Sequence, residues 1–192
     1  MKGRKSKLSI LLICGVMALG TIAVTYAAFT SKDQVTNVFK LGDVDIEVEE
    51  EFEEPQEWNG ESYKKKVAVK NVGESDALIR VALSPRWVNE DGNPWAGDTS
   101  IVSYTFISNS AWIDGKDGYY YYNKRVAKGN ATSNLIDTVK ADIPEDLKEM
   151  YKNKVLIVDV IAEGVQCSKD AHRATWTTTS DDIKTMLDAL CE

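Results

Sequence analysis

Val44, Ile46 and Val48 alternate one for one with Asp43, Asp45, Glu47 and Glu49. A period of two puts the apolar side chains on one face of an extended strand and the carboxylates on the other. The same period returns at 63–71 (YKKKVAVKN), where Val67 and Val69 alternate with Lys66, Ala68 and Lys70. It returns again at 76–83 (DALIRVAL), with Leu78, Arg80 and Ala82 on one face and Ile79, Val81 and Leu83 on the other. Pro85 is expected to end that strand, because proline has no N–H for a ladder. Residues 155–161 (VLIVDVI) form a β-branched run broken only by Asp159 and read as a buried strand.

Turn formers separate these runs. Asn71-Val72-Gly73 turns the chain, and residues 89–97 (NEDGNPWAG) read as a loop. Residues 101–107 fit either a strand or a short helix. In 111–125, Asp114-Gly115 and Asp117-Gly118 supply positions tolerant of positive φ, so a hairpin is expected with 119–122 as its outgoing strand. Lys128-Gly129-Asn130 turns again before an extended stretch at 131–139. Residues 144–151 (PEDLKEMY) read as a short helix, with proline early and acids in the first turn. Residues 180–190 read as a closing helix, with Ser180 as N-cap and Ile183, Met186, Leu187 and Leu190 on one face. Roughly eight short strands with two minor helices predict an all-β chain, an antiparallel β-sandwich with short peripheral helices. Five carboxylates crowd around Phe52 in 49–54, a run expected to stay solvated. No Asp-x-Asp-x-Asp-Gly loop accompanies them to support a calcium site.

The N-terminus sets the compartment. Lys2, Arg4, Lys5 and Lys7 precede an apolar run at 8–24, and small residues follow at Thr25, Ala27 and Ala28. This pattern predicts a signal peptide over 1–27, cut between Ala27 and Ala28. The 17 apolar-run residues are at the short end of what spans a bilayer, and Gly15 and Gly20 weaken them as an anchor. The expected product is secreted, a single domain over 28–192. Cleavage takes four of the 23 basic residues and none of the 30 acidic ones, so the net charge goes from −7 to −11. That balance disfavours nucleic acid and, after cleavage, membrane surfaces as partners. Cys14 leaves with the signal, while Cys167 and Cys191 remain. An oxidising exterior permits a disulfide between them, and the spacing leaves a bond and two free thiols equally open.

Motifs that carry chemistry are sparse. His172 is the sole histidine, and there is no GxSxG elbow, HExxH helix, P-loop or GxGxxG turn. The crowded segment 167–172 (CSKDAH) is read as an exposed loop. The tyrosines of 119–122 offer flat rings for sugar stacking, or two inward and two outward side chains on a strand, and the second reading is preferred. Asn130-Ala131-Thr132 fits the glycosylation pattern, a weak signal. No catalytic residue, metal ligand or cofactor is predicted.

Larger pieces form a recognisable series. TYAAFTS at the junction is followed by VFKLGDVDIEVEE, KKVAVKNVGESDALIRVAL with Trp87 after it, DGYYYYNKRVAKGNATSNLI and VLIVDVIAEGVQ. In this order and spacing they resemble the TasA/camelysin family, secreted proteins of Gram-positive bacteria processed by a SipW-type signal peptidase. The likeness runs from Met1 to about Gln166. Phe29, the Phe39-x-x-Gly42 step, Asn71-x-Gly73 with Arg80, and the Asp117–Tyr122 run carry most of it. It is closest to the clostridial branch described as alternate signal-mediated exported proteins, some of which form pilus-like fibres. Cys191 and the final helix have no counterpart in it.

The resemblance implies a jelly-roll subunit that polymerises head to tail into extracellular biofilm-matrix fibres. Its partners would be copies of itself, the signal peptidase during export, and other matrix proteins. The segment 28–37, with Ala28, Phe29, Thr30 and Val35 as its leading positions, would be the donor strand that completes a neighbour's sheet. Two alternatives accompany this reading. One is a camelysin-like surface metallopeptidase, which a single histidine supports poorly. The other is a monomeric glycan-binding adhesin built on the tyrosine hairpin.

Overall fold

The structure is a computed structural model that describes residues 37–39, 44–52, 60–168 and 170–192. The signal segment 1–27, the junction Ala27-Ala28 and the donor positions Phe29, Thr30 and Val35 lie outside the described residues. The described elements fall in one unit, Gln34–Glu192. They comprise ten strands: β1 Asn37–Phe39, β2 Ile46–Phe52, β3 Ser62–Asn71, β4 Ala77–Asn89, β5 Pro94–Trp95, β6 Val102–Phe106, β7 Trp112–Asp114, β8 Tyr120–Tyr122, β9 Ile136–Ala141 and β10 Lys154–Gln166. Three short helices accompany them, α1 Lys148–Tyr151, α2 Ala171–Thr175 and α3 Asp181–Leu190, with a 3-10 turn at Glu145–Leu147.

The strands form two sheets. One runs β1-β10-β4-β8-β7 with β5 beside β4, and the other runs β2-β3-β9-β6. All pairings are antiparallel except β1 with β10. The all-β expectation therefore holds. Val44, Ile46, Val67, Val69 and Ile136 from one sheet meet Ala77, Ile79, Val81, Val160 and Ala162 from the other in a buried cluster. Val44, Ile46, Val67, Val69, Ile79 and Val81 among them are positions that the period of two placed on one face. Gly164 lets the sheets approach, because a Cβ there would lie 2.9 Å from Ile46 and 3.0 Å from Val44.

The outer face of the first sheet is covered too. Leu78, Tyr121 and Val165 pack with Trp176, Ile183 and Leu187. Ser180 caps α3, its Oγ accepting from the Ile183 N–H at 3.5 Å. Cys167, just after β10, is joined by a disulfide to Cys191, just after α3. A third cluster at the far end joins Trp87, Leu156 and Val158 to Val139, Ala141 and Tyr151.

Three expectations are corrected. Pro85 does not end its strand: β4 continues to Asn89, and Pro85 pairs with Val158 of β10. On its other side, β4 meets β8 at Arg80 and Val81 and β5 at Trp87 and Val88. Residues 82–86 between them have no described neighbour on that edge, so a missing N–H there breaks no ladder. Glu50 does not share the exposure of Glu49 and Glu51. Alternation continues through Phe52, so Glu50 turns inward and its side chain is 13% exposed. The segment 167–172 is no exposed loop, because α2 buries His172 against α3. Residues 101–107 resolve as a strand, and the 111–125 hairpin turns with positive φ at Lys116 and Gly118.

Candidate functional site

A segment that adds to a sheet needs a long, regular edge with unpaired N–H and C=O groups. Besides β1, β5 and the 82–86 stretch of β4, four edges present themselves among the described residues. β7 is three residues long, and β6 is five with an irregular register at Thr105 and Phe106. β2 is longer, but Glu47, Glu49 and Glu51 stand on its exposed face, and edge charge opposes pairing. Glu49 and Glu51 are matched by Lys70, Lys66 and Lys64 on β3.

The fourth edge belongs to β10. β4 covers one side of β10 along all 13 residues. On the other side, among the described residues, β1 covers it only where Asn37, Val38 and Phe39 face Ile161, Ala162 and Glu163. Among the described residues, 154–160 thus have no neighbour on that side, while their register with β4 is regular. Leu156, Val158 and Val160 point to the core, while Val155, Ile157 and Asp159 are half-buried on the opposite face. Asp159 is held by Arg86, whose Nε donates at 2.7 Å. Lys154 donates to Asn89 at 2.8 Å, and its Nζ stands 5.3 Å from the Trp95 ring centre. Both charges near this edge are thus tied to β4 and its turn.

The polar residues of the resemblance occupy structural positions. Asn71 is fully buried, and its amide donates to the carbonyls of Ser75 and Val126 at 2.8 Å each while its oxygen accepts from Gly73. Arg80 is 7% exposed on the outer face of β4. Its Nε and Nη2 donate to one oxygen of Glu163 at 2.9 and 2.7 Å, and Nη1 donates to the Tyr121 hydroxyl at 3.0 Å. The guanidinium lies 3.8 Å from the Tyr119 ring centre and 4.8 Å from that of Trp176. Tyr119 donates to Glu163, and Tyr121 donates to Asp117 and meets Thr179. Burial is the main reason both phenols are pushed up, and hydrogen bonding to a carboxylate adds to it.

The tyrosine run divides as the strand reading expects. Tyr119 and Tyr121 face the helices, and Tyr120 and Tyr122 face the inter-sheet core. His172 is 1% exposed, with Nε2 3.1 Å from Asp188, which Arg173 also binds. Burial pushes its imidazole down, against the opposing charge of Asp188. Cys167 beside it is committed to the disulfide. In the glycosylation triplet, the Thr132 hydroxyl is buried and accepts from the Val69 N–H at 2.9 Å.

The sequence reading proposed a donor segment at 28–37 but named no edge for it to join, because which side of a strand lacks a neighbour is decided by tertiary pairing. Among the described residues, no helix is long and apolar enough to cross a membrane, and no cluster of three or more His, Cys, Asp or Glu could hold a metal ion. No protein-family model, curated protein or solved structure matches this chain.

Proposed function

We propose that the mature chain is a secreted, jelly-roll-like subunit that polymerises into extracellular fibres of a biofilm matrix or pilus. The segment 28–37 of one copy adds as a strand to the β10 edge of the next. A single observation carries this reading: among the described residues, β1 pairs with β10 in parallel no further back than Ile161, and the 154–160 stretch directly beside it has no described neighbour on that side. If the incoming strand keeps the register of Asn37 opposite Ile161, residues 30–36 of the ten-residue donor would lie along 154–160, with Val35 opposite Asp159. Two packed sheets, with β1-β10-β4-β8 in one and β2-β3-β9-β6 in the other, agree with a jelly roll in their layers. The β2–β3 hairpin within one sheet is a departure from that connectivity.

Addition of this kind is head to tail, so it need not close and grows a filament. Main-chain bonds supply affinity, and Phe29 and Val35 supply side-chain anchors. Removal of the signal by the export peptidase is the trigger, since before it the donor is tethered. The test uses purified mature protein with and without residues 28–34, viewed by electron microscopy. A synthetic peptide of residues 28–39 is added to the intact protein in parallel. Fibres are expected to vanish with the deletion and to shorten with the peptide. Undiminished fibres in both arms would refute the donor role.

A further inference from the structure

The inward faces of β2 and β3 are apolar except at Glu50, Lys65 and Asn71. Alternation along β2 turns Ile46, Val48, Glu50 and Phe52 inward, and alternation along β3 does the same for Lys65, Val67, Val69 and Asn71. The register sets Phe52 opposite Lys65 and Glu50 opposite Val67, so Glu50 and Lys65 are diagonal neighbours on one face. Lys65 is 1% exposed, with its Nζ 3.2 Å from Glu50 Oε1. The Phe52 ring centre lies 4.9 Å from that Nζ. Among the described residues, Lys65 directs its hydrogen bond to Glu50, though an ammonium carries three donors. Glu50 Oε2 is buried with no partner.

As an ion pair this arrangement is poorly supported. Two charges have left water, and the hydrogen bonds that normally offset that loss are mostly missing. Burial pushes the Glu50 carboxyl up toward its neutral form, Lys65 opposes this, and the charge of Asp159 reinforces it. A neutral carboxyl is the form an amine can attack, because a carboxylate repels the incoming lone pair. The amine is within hydrogen-bond distance of that carboxyl, and the Lys65 side chain is almost fully shielded from solvent.

We infer that Lys65 and Glu50 are a site of spontaneous cross-linking, forming an isopeptide bond between β2 and β3. Lys65 passes one ammonium proton to Glu50, which replaces two buried charges with a neutral amine and a neutral acid. The amine lone pair attacks the Glu50 carboxyl carbon, and a C–N bond forms. The C–O bond to the hydroxyl then breaks, and the hydroxyl leaves with a second amine proton as water. Nothing is oxidised or reduced, and no co-reactant is needed. The product is an amide whose N–H and C=O replace the charges, and it fixes the edge strand of the second sheet to its neighbour.

The site is distinct from the β10 edge, so this inference stands or falls separately from the fibre reading. The test is the intact mass of the secreted, disulfide-reduced protein, corrected for its measured N-terminus. Wild type is expected to be one water lighter than its sequence mass, and digestion should release a branched peptide joining Glu50 to Lys65. K65R and E50A should each return the full mass. E50Q is unsuitable as a control, because a glutamine could form the same bond with loss of ammonia. Wild-type protein that is folded by circular dichroism, has the full mass after prolonged incubation, and yields separate linear peptides would overturn the inference. So would a water loss mapped to any other pair. Because wild type itself decides the outcome, misfolding of a variant does not obscure it.

Discussion

Arg80→Met is the sharpest probe of what holds the helical face to the sheet. Methionine keeps an unbranched, flexible apolar stem without the charged head, and is smaller than arginine. The change removes the two bonds to Glu163 at 2.9 and 2.7 Å, the bond to Tyr121 at 3.0 Å, and the stacking 3.8 Å from the Tyr119 ring centre. Glu163 keeps its 2.8 Å bond from Tyr119, but its side chain is only 15% exposed, so its charge is poorly compensated by water. Breaking a buried pair from one side costs about 3–5 kcal/mol. The residual solvent access of Glu163 puts the expected loss at the lower end, about 3 kcal/mol. That is a large share of a domain stability of about 5–15 kcal/mol. The Arg80→Met, Glu163→Met double variant removes the orphaned charge as well, so it should lose less than the sum of the two singles by about 2 kcal/mol. Urea denaturation of the four proteins measures this directly. A single-variant loss below about 1 kcal/mol, or simple additivity, would refute the reasoning.

Two further outcomes follow from the C-terminal module. Replacing Cys167 and Cys191 by serine opens a loop closed across 24 residues, for an expected loss of about 3.5 kcal/mol by the loop-entropy relation. Amide exchange should accelerate first in α3, and unchanged protection there would count against the disulfide as the clip. The His172 imidazole should titrate below its ordinary value of 6.5 in the folded protein, because burial disfavours its charged form. The unfolded chain then takes up a proton that the folded chain refuses, so stability is intact above about 6.5 and falls as pH drops toward the folded value. As the sole histidine, its ring protons can be followed by NMR without assignment, and a midpoint at or above the ordinary value would overturn this.

Where alternation coincided with polarity, the fold was legible. Val44, Ile46, Val67 and Val69 were readable as core because their neighbours are Asp, Glu and Lys. Where a polar residue took an inward position, reading by polarity failed. Glu50 and Lys65 continue the same period of two, yet their side chains argue for the surface. Pro85 misled for a different reason. Its cost depends on whether the strand has a partner on the side that lacks an N–H, and that is a tertiary fact. Arg80 was placed on the correct face of its strand, with Leu78 and Ala82, but its partners arrive from β8, β10 and the turn before α3. The Cys167–Cys191 bond stayed open for the same reason, since approach across 24 residues is decided by how α2 and α3 pack. The β10 edge was invisible because an edge is defined by which strand fails to pair, not by its own residues.

The proposed assembly has a consequence for how neighbouring subunits must lie. β1 ends at Phe39 and β2 begins at Ile46, so six residues connect them. Fully extended, such a connection spans about 20 Å. If residues 28–39 move as one piece to a neighbour's β10, that neighbour's edge must lie within this distance of the donor's own β2. Adjacent subunits are then in direct contact, and the fibre is a packed stack, not beads on a flexible string. The strand contacts would be the same whether the segment folds back on its own β10 or reaches the next one, as in a domain swap. Their free energy therefore largely cancels between monomer and polymer. What remains to favour the polymer is the set of new contacts between neighbouring surfaces. Growth on those terms would depend strongly on concentration, and under the proposed function a signal peptidase releasing many donors at one place would supply it.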